Sequence, residues 1–185
     1  MKLKVTFFAL LFISSQHAFA ADIPAATMAG NITMKGNIYS AACTISSGAA
    51  LTLKIANTYA NAYAKGDASP LSTSAQATFT CPNNTGVNIR VDGVADTTEP
   101  SLYQVTPGTG KATGVAIRIT ASSGTGGTVS NIPLVPNTVT SEVFTPSSTG
   151  TNLVGINFKA QLVAVSDTVT SGDLSTALTW TAIYN

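Results

Sequence analysis

The sequence predicts an all-β sandwich, and three observations carry that expectation. About seven or eight short runs alternate apolar and polar side chains with period two, the repeat of a strand with one buried face. Clusters of Gly, Pro, Asn, Asp and Ser separate these runs at the short spacing of a sandwich. The composition is rich in Thr, Ser, Ala, Val, Gly and Asn, which suits strands and turns and disfavours helices.

The first segment is a removable leader. Lys2 and Lys4 precede an apolar run over residues 5–13 that is too short to span a bilayer, and Ala18-Phe19-Ala20 forms a small-x-small cleavage site. Residues 1–20 are therefore read as a secretory signal peptide, with Ala21 as the alternative last residue. In the extension that follows, residues 21–35, Met28, Gly30, Ile32 and Met34 share one parity. A glycine inside such a pattern marks a close backbone approach.

Further along, strands are expected over residues 37–45 (carrying Cys43), 49–55, 75–81 (ending in Cys81), 87–91, 114–120 and 153–165. Residues 87–91 read as half-exposed. In the long strand Ile156, Phe158, Ala160 and Leu162 share a side. Residues 57–71, 82–86, 92–110, 121–128 and 166–171 carry turn signals and read as loops or turns, and residues 132–136 bear prolines. The last strand covers residues 172–185. Leu174, Leu178, Trp180, Ala182 and Tyr184 fall on one parity, and an apolar face of this kind at a sheet edge needs a cover. No linker or internal repeat divides the chain, so one domain over residues 36–185 is expected.

The chemistry is sparse. The only histidine, His17, lies in the leader, so the mature chain has no imidazole for a nucleophilic triad or a histidine zinc site. In an exported chain Cys43 and Cys81 read as a disulfide, worth roughly 4 kcal/mol in the chain-entropy model. Asp92, Asp96 and Glu99 lie close in a loop, where they read as solvated side chains or, in the sharper alternative, as a calcium or acid–base site. Without Lys2 and Lys4, seven cationic side chains face eight acidic ones, and no basic patch points to nucleic acid or a lipid surface. The expectation is no enzyme, no cofactor and no metal. Trp180 and Tyr184, on a strand pattern, read as core or interface.

Four features together resemble the pilin subunits of chaperone–usher fimbriae, of the type 1 fimbrial kind. A signal peptide is followed by a short alternating extension. Lys35-Gly36-Asn37-Ile38 leads to Ala41-Ala42-Cys43, and Cys81 follows at the family's distance. Tyr184 is a penultimate aromatic, with Gly172 fourteenth from the end. Residues 92–152 match only in general character.

The resemblance implies an incomplete immunoglobulin-like β-sandwich lacking its last strand, completed by a donated strand. A periplasmic chaperone lends the strand first. At the outer-membrane usher, the extension of the next subunit replaces it, giving main-chain hydrogen bonds and side-chain pockets in a head-to-tail filament at the cell surface. Carried onto this sequence, Gly172, Leu174, Leu178, Trp180, Ala182 and Tyr184 line the acceptor groove, and Met28, Gly30, Ile32 and Met34 belong to the donor strand. The partners implied are neighbouring copies or related pilins, the chaperone and the usher. No host receptor is legible. The alternatives are a minor tip or adaptor pilin, a small carbohydrate-binding β-sandwich that completes itself, and a secreted carboxylate hydrolase.

Overall fold

A computed structural model describes residues 27–38, 43–81, 85–124, 127–146 and 152–184. The leader and the start of the extension lie outside the described residues. Among the described residues ten strands follow in order: β1 (Thr27–Ile38), β2 (Thr44–Ser47), β3 (Ala50–Tyr59), β4 (Ala75–Thr80), β5 (Val87–Asp92), β6 (Tyr103–Gln104), β7 (Val115–Ser123), β8 (Ile132–Leu134), β9 (Leu153–Ala164) and β10 (Gly172–Tyr184). One sheet has the order β3-β1-β10-β5. The other has the order β2-β4-β9-β7-β6, with β8 paired to β7. The expected sandwich is thus present, and its core lies between the sheets.

Alternation places the core. Leu51, Leu53 and Ile55 of β3, Phe79 of β4 and the row Ile156, Phe158, Ala160 and Leu162 of β9 are all buried. Trp180 of β10 meets Phe79 edge-on, with ring centroids 5.4 Å apart, and lies 6.0 Å from Phe158. The indole thus packs across the space between the two sheets. Cys43 and Cys81 form the disulfide, which ties the chain just ahead of β2 to the end of β4.

Several local expectations are corrected. Residues 37–45 do not make one strand: β1 runs past Lys35 to Ile38, and Cys43 stands before β2. Residues 121–123 belong to β7, because β9 is long enough to pair with Ala121, Ser122 and Ser123. The short strand β6 lies within the turn-rich stretch 92–110. Residues 87–91 are more covered than a half-exposed strand: Asn88 on the polar side is buried, while Arg90 stays partly exposed. The reason is a strap from the middle of the chain. Thr140 N–H donates to the Ile89 carbonyl at 2.8 Å and Thr140 Oγ1 accepts from Ile89 N–H at 3.0 Å. Phe144 and Val87 exchange two backbone bonds, and Asn88 Nδ2 donates to the Thr140 carbonyl. The strap satisfies the outer backbone of β5 and adds Phe144 to the core.

A similar device replaces β4 where it leaves β9. Ser69 donates its N–H to the Leu162 carbonyl, and its hydroxyl accepts from Leu162 N–H, both at 2.9 Å. Ser72 treats Ala160 in the same way, at 2.7 and 2.9 Å. Two buried serines thus imitate strand residues in a stretch read from its turn residues as loop. Replacing Ser69 or Ser72 by Ala leaves a buried N–H without its acceptor, and each variant should lose about 1–3 kcal/mol in urea unfolding.

Tyr103 links the sheets from the side. Its hydroxyl donates to the Val91 carbonyl at 3.2 Å. Burial, with a smaller push from the charge of Asp92, raises its phenol far above the ordinary tyrosine range. The folded state therefore binds this proton more tightly than the unfolded chain. The contribution to stability is intact below pH about 10 and falls as pH rises from there toward the raised folded value. Ultraviolet difference titration of the parent against Tyr103→Phe should show this phenol ionising only as the sandwich opens.

Candidate strand-acceptor groove

The apolar face of β10 is covered, and the cover is the chain's own extension. β1 lies between β10, to which it runs parallel, and β3, to which it runs antiparallel. The parallel ladder runs along β10 from Gly172 to Ala182: Met28 is opposite Gly172, Gly30 opposite Leu174, Ile32 opposite Thr176, Met34 opposite Leu178, Gly36 opposite Trp180 and Ile38 opposite Ala182. The cover expected from a neighbouring copy is therefore supplied within this one chain.

Both sets of residues read from the sequence meet here. Met28, Ile32 and Met34 are fully buried, each worth about 1.5–3 kcal/mol relative to exposure. Leu174, Leu178, Trp180 and Ala182 are buried beside them, and Tyr184 is half-buried beyond the end of β1. Three further parts escaped the sequence reading. Leu51, Leu53 and Ile55 of β3 form the second wall, opposite Met34, Ile32 and Gly30. Their alternation was legible, but their neighbour was not. Thr176 is also buried, and its hydroxyl disguised an inward position. The third is Gly36.

The glycines show why side chains are missing at their positions. A Cβ on Gly30 would collide with the backbone oxygen of Leu174, and one on Gly36 would collide with the Trp180 indole. A Cβ on Gly172 would strike the backbone of Lys111 and Ala112, which closes over the start of β10. Trp180 Nε1 and Tyr184 Oη are buried and find no hydrogen-bond partner among the described residues. Burial raises the Tyr184 phenol above its ordinary range.

The acidic side chains make local bonds. Asp92 pairs with Arg90 at 2.9 Å. Asp96 Oδ1 accepts from the N–H groups of Thr98 and Glu99, and Glu99 accepts from Ser101. These bonds shape a turn, and among the described residues no three potential metal ligands come together.

The groove's sequence also has relatives. A family model for fimbrial proteins matches residues 32–185, from the middle of β1 to the end of the chain. The chain belongs to the fimbrial protein family. It is a structural subunit of a fimbria, and fimbrial subunits assemble with neighbouring pilins at the cell surface. No curated protein sequence matches it.

The fold of this fimbrial subunit is shared with solved structures. A Burkholderia pseudomallei antigen and type I fimbria protein is 24% identical, with 85% of this chain and 97% of that one covered at a TM-score of 0.50. The P pilus rod subunit PapA is 16% identical, with 78% and 100% covered at a TM-score of 0.58. A chain from a chaperone–usher pilus, in a structure concerned with rod uncoiling, is 16% identical, with 82% and 92% covered at a TM-score of 0.56.

Trp180 is at once the groove's floor and the contact between the sheets. Trp180→Ala should cost about 3–5 kcal/mol in denaturant unfolding and flatten the near-ultraviolet circular dichroism. A loss below about 1 kcal/mol would mean that the sandwich does not rest on this ring.

Proposed function

We propose that this fimbrial subunit polymerises by donor-strand exchange. The signal peptide sends it to the periplasm, a chaperone captures it by lending a strand to the groove, and the usher replaces that strand with the extension of the next subunit. Met28, Gly30, Ile32 and Met34 act as donor residues. Gly172, Leu174, Leu178, Trp180, Ala182 and Tyr184 act as the acceptor and chaperone-binding face, with β3 as the second wall. The protein's role is mechanical, and the reading calls for no cofactor.

One observation carries this reading: the strand that fills the groove is an N-terminal appendage whose two neighbours, β3 and β10, both belong to the domain. Lifting it out would bare two rows of backbone hydrogen-bonding groups and the apolar pocket of Met28, Ile32 and Met34. Such a doubly unsatisfied gap has a high demand for another strand. Each copy carries both halves of a joint, so the contact is heterologous and extends without closing. That property suits the repeating shaft of a fimbria.

Deleting residues 21–35 removes the donor side chains and leaves β10 and β3 in place. Co-expressed with its chaperone and usher, the deleted chain should be recovered bound to the chaperone and should form no fibres by itself. Fibres built from the deleted chain alone, seen by electron microscopy, would remove the donor role from this segment.

A further inference from the structure

The outer face of the second sheet carries a cleft of about 460 Å³, a size usual for small-molecule sites. It lies where the turn at residues 64–67 and the turn at residues 96–102 meet β7 and the end of β9. No residue of β1, β3 or β10 lines it. Leu102 and Val163, which do, belong to a small apolar cluster separate from the main core.

Three charged side chains line this cleft. Arg118, on β7, is half-buried. Its Nη1 donates to Gln161 Oε1 at 3.2 Å, and Gln161 Nε2 in turn donates to the Ser69 carbonyl at 2.6 Å. The guanidinium is thus steadied by a neutral amide that is itself anchored to backbone. Among the described residues it has no carboxylate partner, and the ion pair there joins Arg90 to Asp92. Lys65 is exposed on the first turn. Glu99 is exposed on the second, and its Oε1 accepts from the Ser101 hydroxyl at 2.7 Å. The two aspartates nearby are engaged by their own turns. Asp67 accepts from Ala64 N–H, and Asp96 from the N–H groups of Thr98 and Glu99.

Two cations against one carboxylate leave a positive surplus that a single carboxylate on a ligand cancels. A guanidinium fixed in orientation matches the plane of a carboxylate and holds it with parallel bonds. Glu99 repels a multiply charged anion such as phosphate and favours a ligand with hydroxyl groups to donate. Thr98 and Ser101 line the same wall with hydroxyls of their own. An extended peptide is disfavoured for a separate reason. Gly66 and Asp67 already pair with the backbone of Ala164, at 2.8 and 2.9 Å, so β9 offers no open edge at the cleft.

We propose that this cleft binds an acidic sugar, with Arg118 and Lys65 on the carboxylate and Glu99 accepting from the ring hydroxyls. Gln161 is a positioning residue that aims the guanidinium. The site belongs to the domain and not to the strand joint, so it does not rest on the donor-strand reading. A fimbria repeats its subunits, and sites that are weak singly gain by avidity on a surface that displays many sugars.

Nuclear magnetic resonance titration of the folded mature chain tests the site with three probes: D-glucuronic acid, D-galacturonic acid and N-acetylneuraminic acid. D-glucose and inorganic phosphate are the controls. At least one acidic sugar should shift the amide signals of Lys65, Gly66, Thr98, Glu99 and Leu102, and both controls should bind at least about tenfold more weakly. Arg118→Gln should weaken that sugar by about tenfold or more, and Lys65→Gln by about two- to fivefold. Glu99→Gln should weaken the sugar and strengthen phosphate, narrowing the preference between them. Failure of all three acidic sugars to shift these signals would overturn the site. Glucose or phosphate binding as tightly as the best acidic sugar would overturn its ligand class. Affinity unchanged in both Arg118→Gln and Lys65→Gln would overturn the assigned contacts. Lys65 and Glu99 are exposed, so their variants keep the test decisive if Arg118→Gln fails to fold.

Discussion

The fold depends on covering both edges of one strand. β10 is an inner strand of its sheet, and its apolar face carries Trp180, the ring that meets Phe79 and Phe158 of the opposite sheet. On one side its backbone is paired by β5 near its end and by residues 106–112 near its start, where Thr106 N–H bonds to the Ser175 carbonyl and Ala112 N–H to the Asp173 carbonyl. On the other side it is paired along nearly its whole length by β1. Without β1, the β3 and β10 edges would lie open over the core, a state that leaves backbone groups unpaired and apolar side chains wet. The requirement for a cover is therefore built into the domain, and β1 meets it.

The remaining edges are closed by different means. The strap of residues 137–144 pairs with β5, using Thr140 and Asn88 side chains as well as backbone. Ser69 and Ser72 continue the sheet along β9 with their hydroxyls as acceptors. These closures are irregular and lie within the domain, with bonds to side chains that no strand ladder supplies. The β1 closure is a continuous parallel ladder on β10 and an antiparallel one on β3 broken once between Met28 and Gly30, and it is made mainly of backbone pairing and three large apolar side chains. Backbone pairing with a few apolar side chains is also how an added strand is recognised at a sheet edge.

The pattern of glycines shows how tightly the groove reads its occupant. At Leu174 and Trp180 the two strands approach so closely that no side chain fits on β1. Trp180 thus serves two ends. It fills the core between the sheets, and it limits what passes above it. Residues 92–152, which carried little of the family resemblance, contribute the strap, β6, β7 and β8, and the closure over the start of β10. They build the walls behind the groove and leave its open side to β1.

Much of this was legible in the sequence, for physical reasons. Period-two alternation reports which face of a strand is buried, so Leu174, Leu178, Trp180 and Ala182, Met28, Ile32 and Met34, and the row on β9 were identified before any partner was known. The cysteine pair and the all-β class follow from equally local signals. What the sequence could not convey was adjacency. Ser69 and Ser72 look like loop residues until β9 stands beside them. Asn88 looks exposed until the strap pairs with the outer edge of β5. Thr176 and Gly36 acquire a role only opposite Ile32 and Trp180. The amino-acid order by itself determined two strands with matching apolar faces, because side-chain direction is a property of each strand alone. Only the tertiary structure decided that they lie side by side and parallel, with glycine over indole, because register is set by what the two backbones allow each other across the ladder.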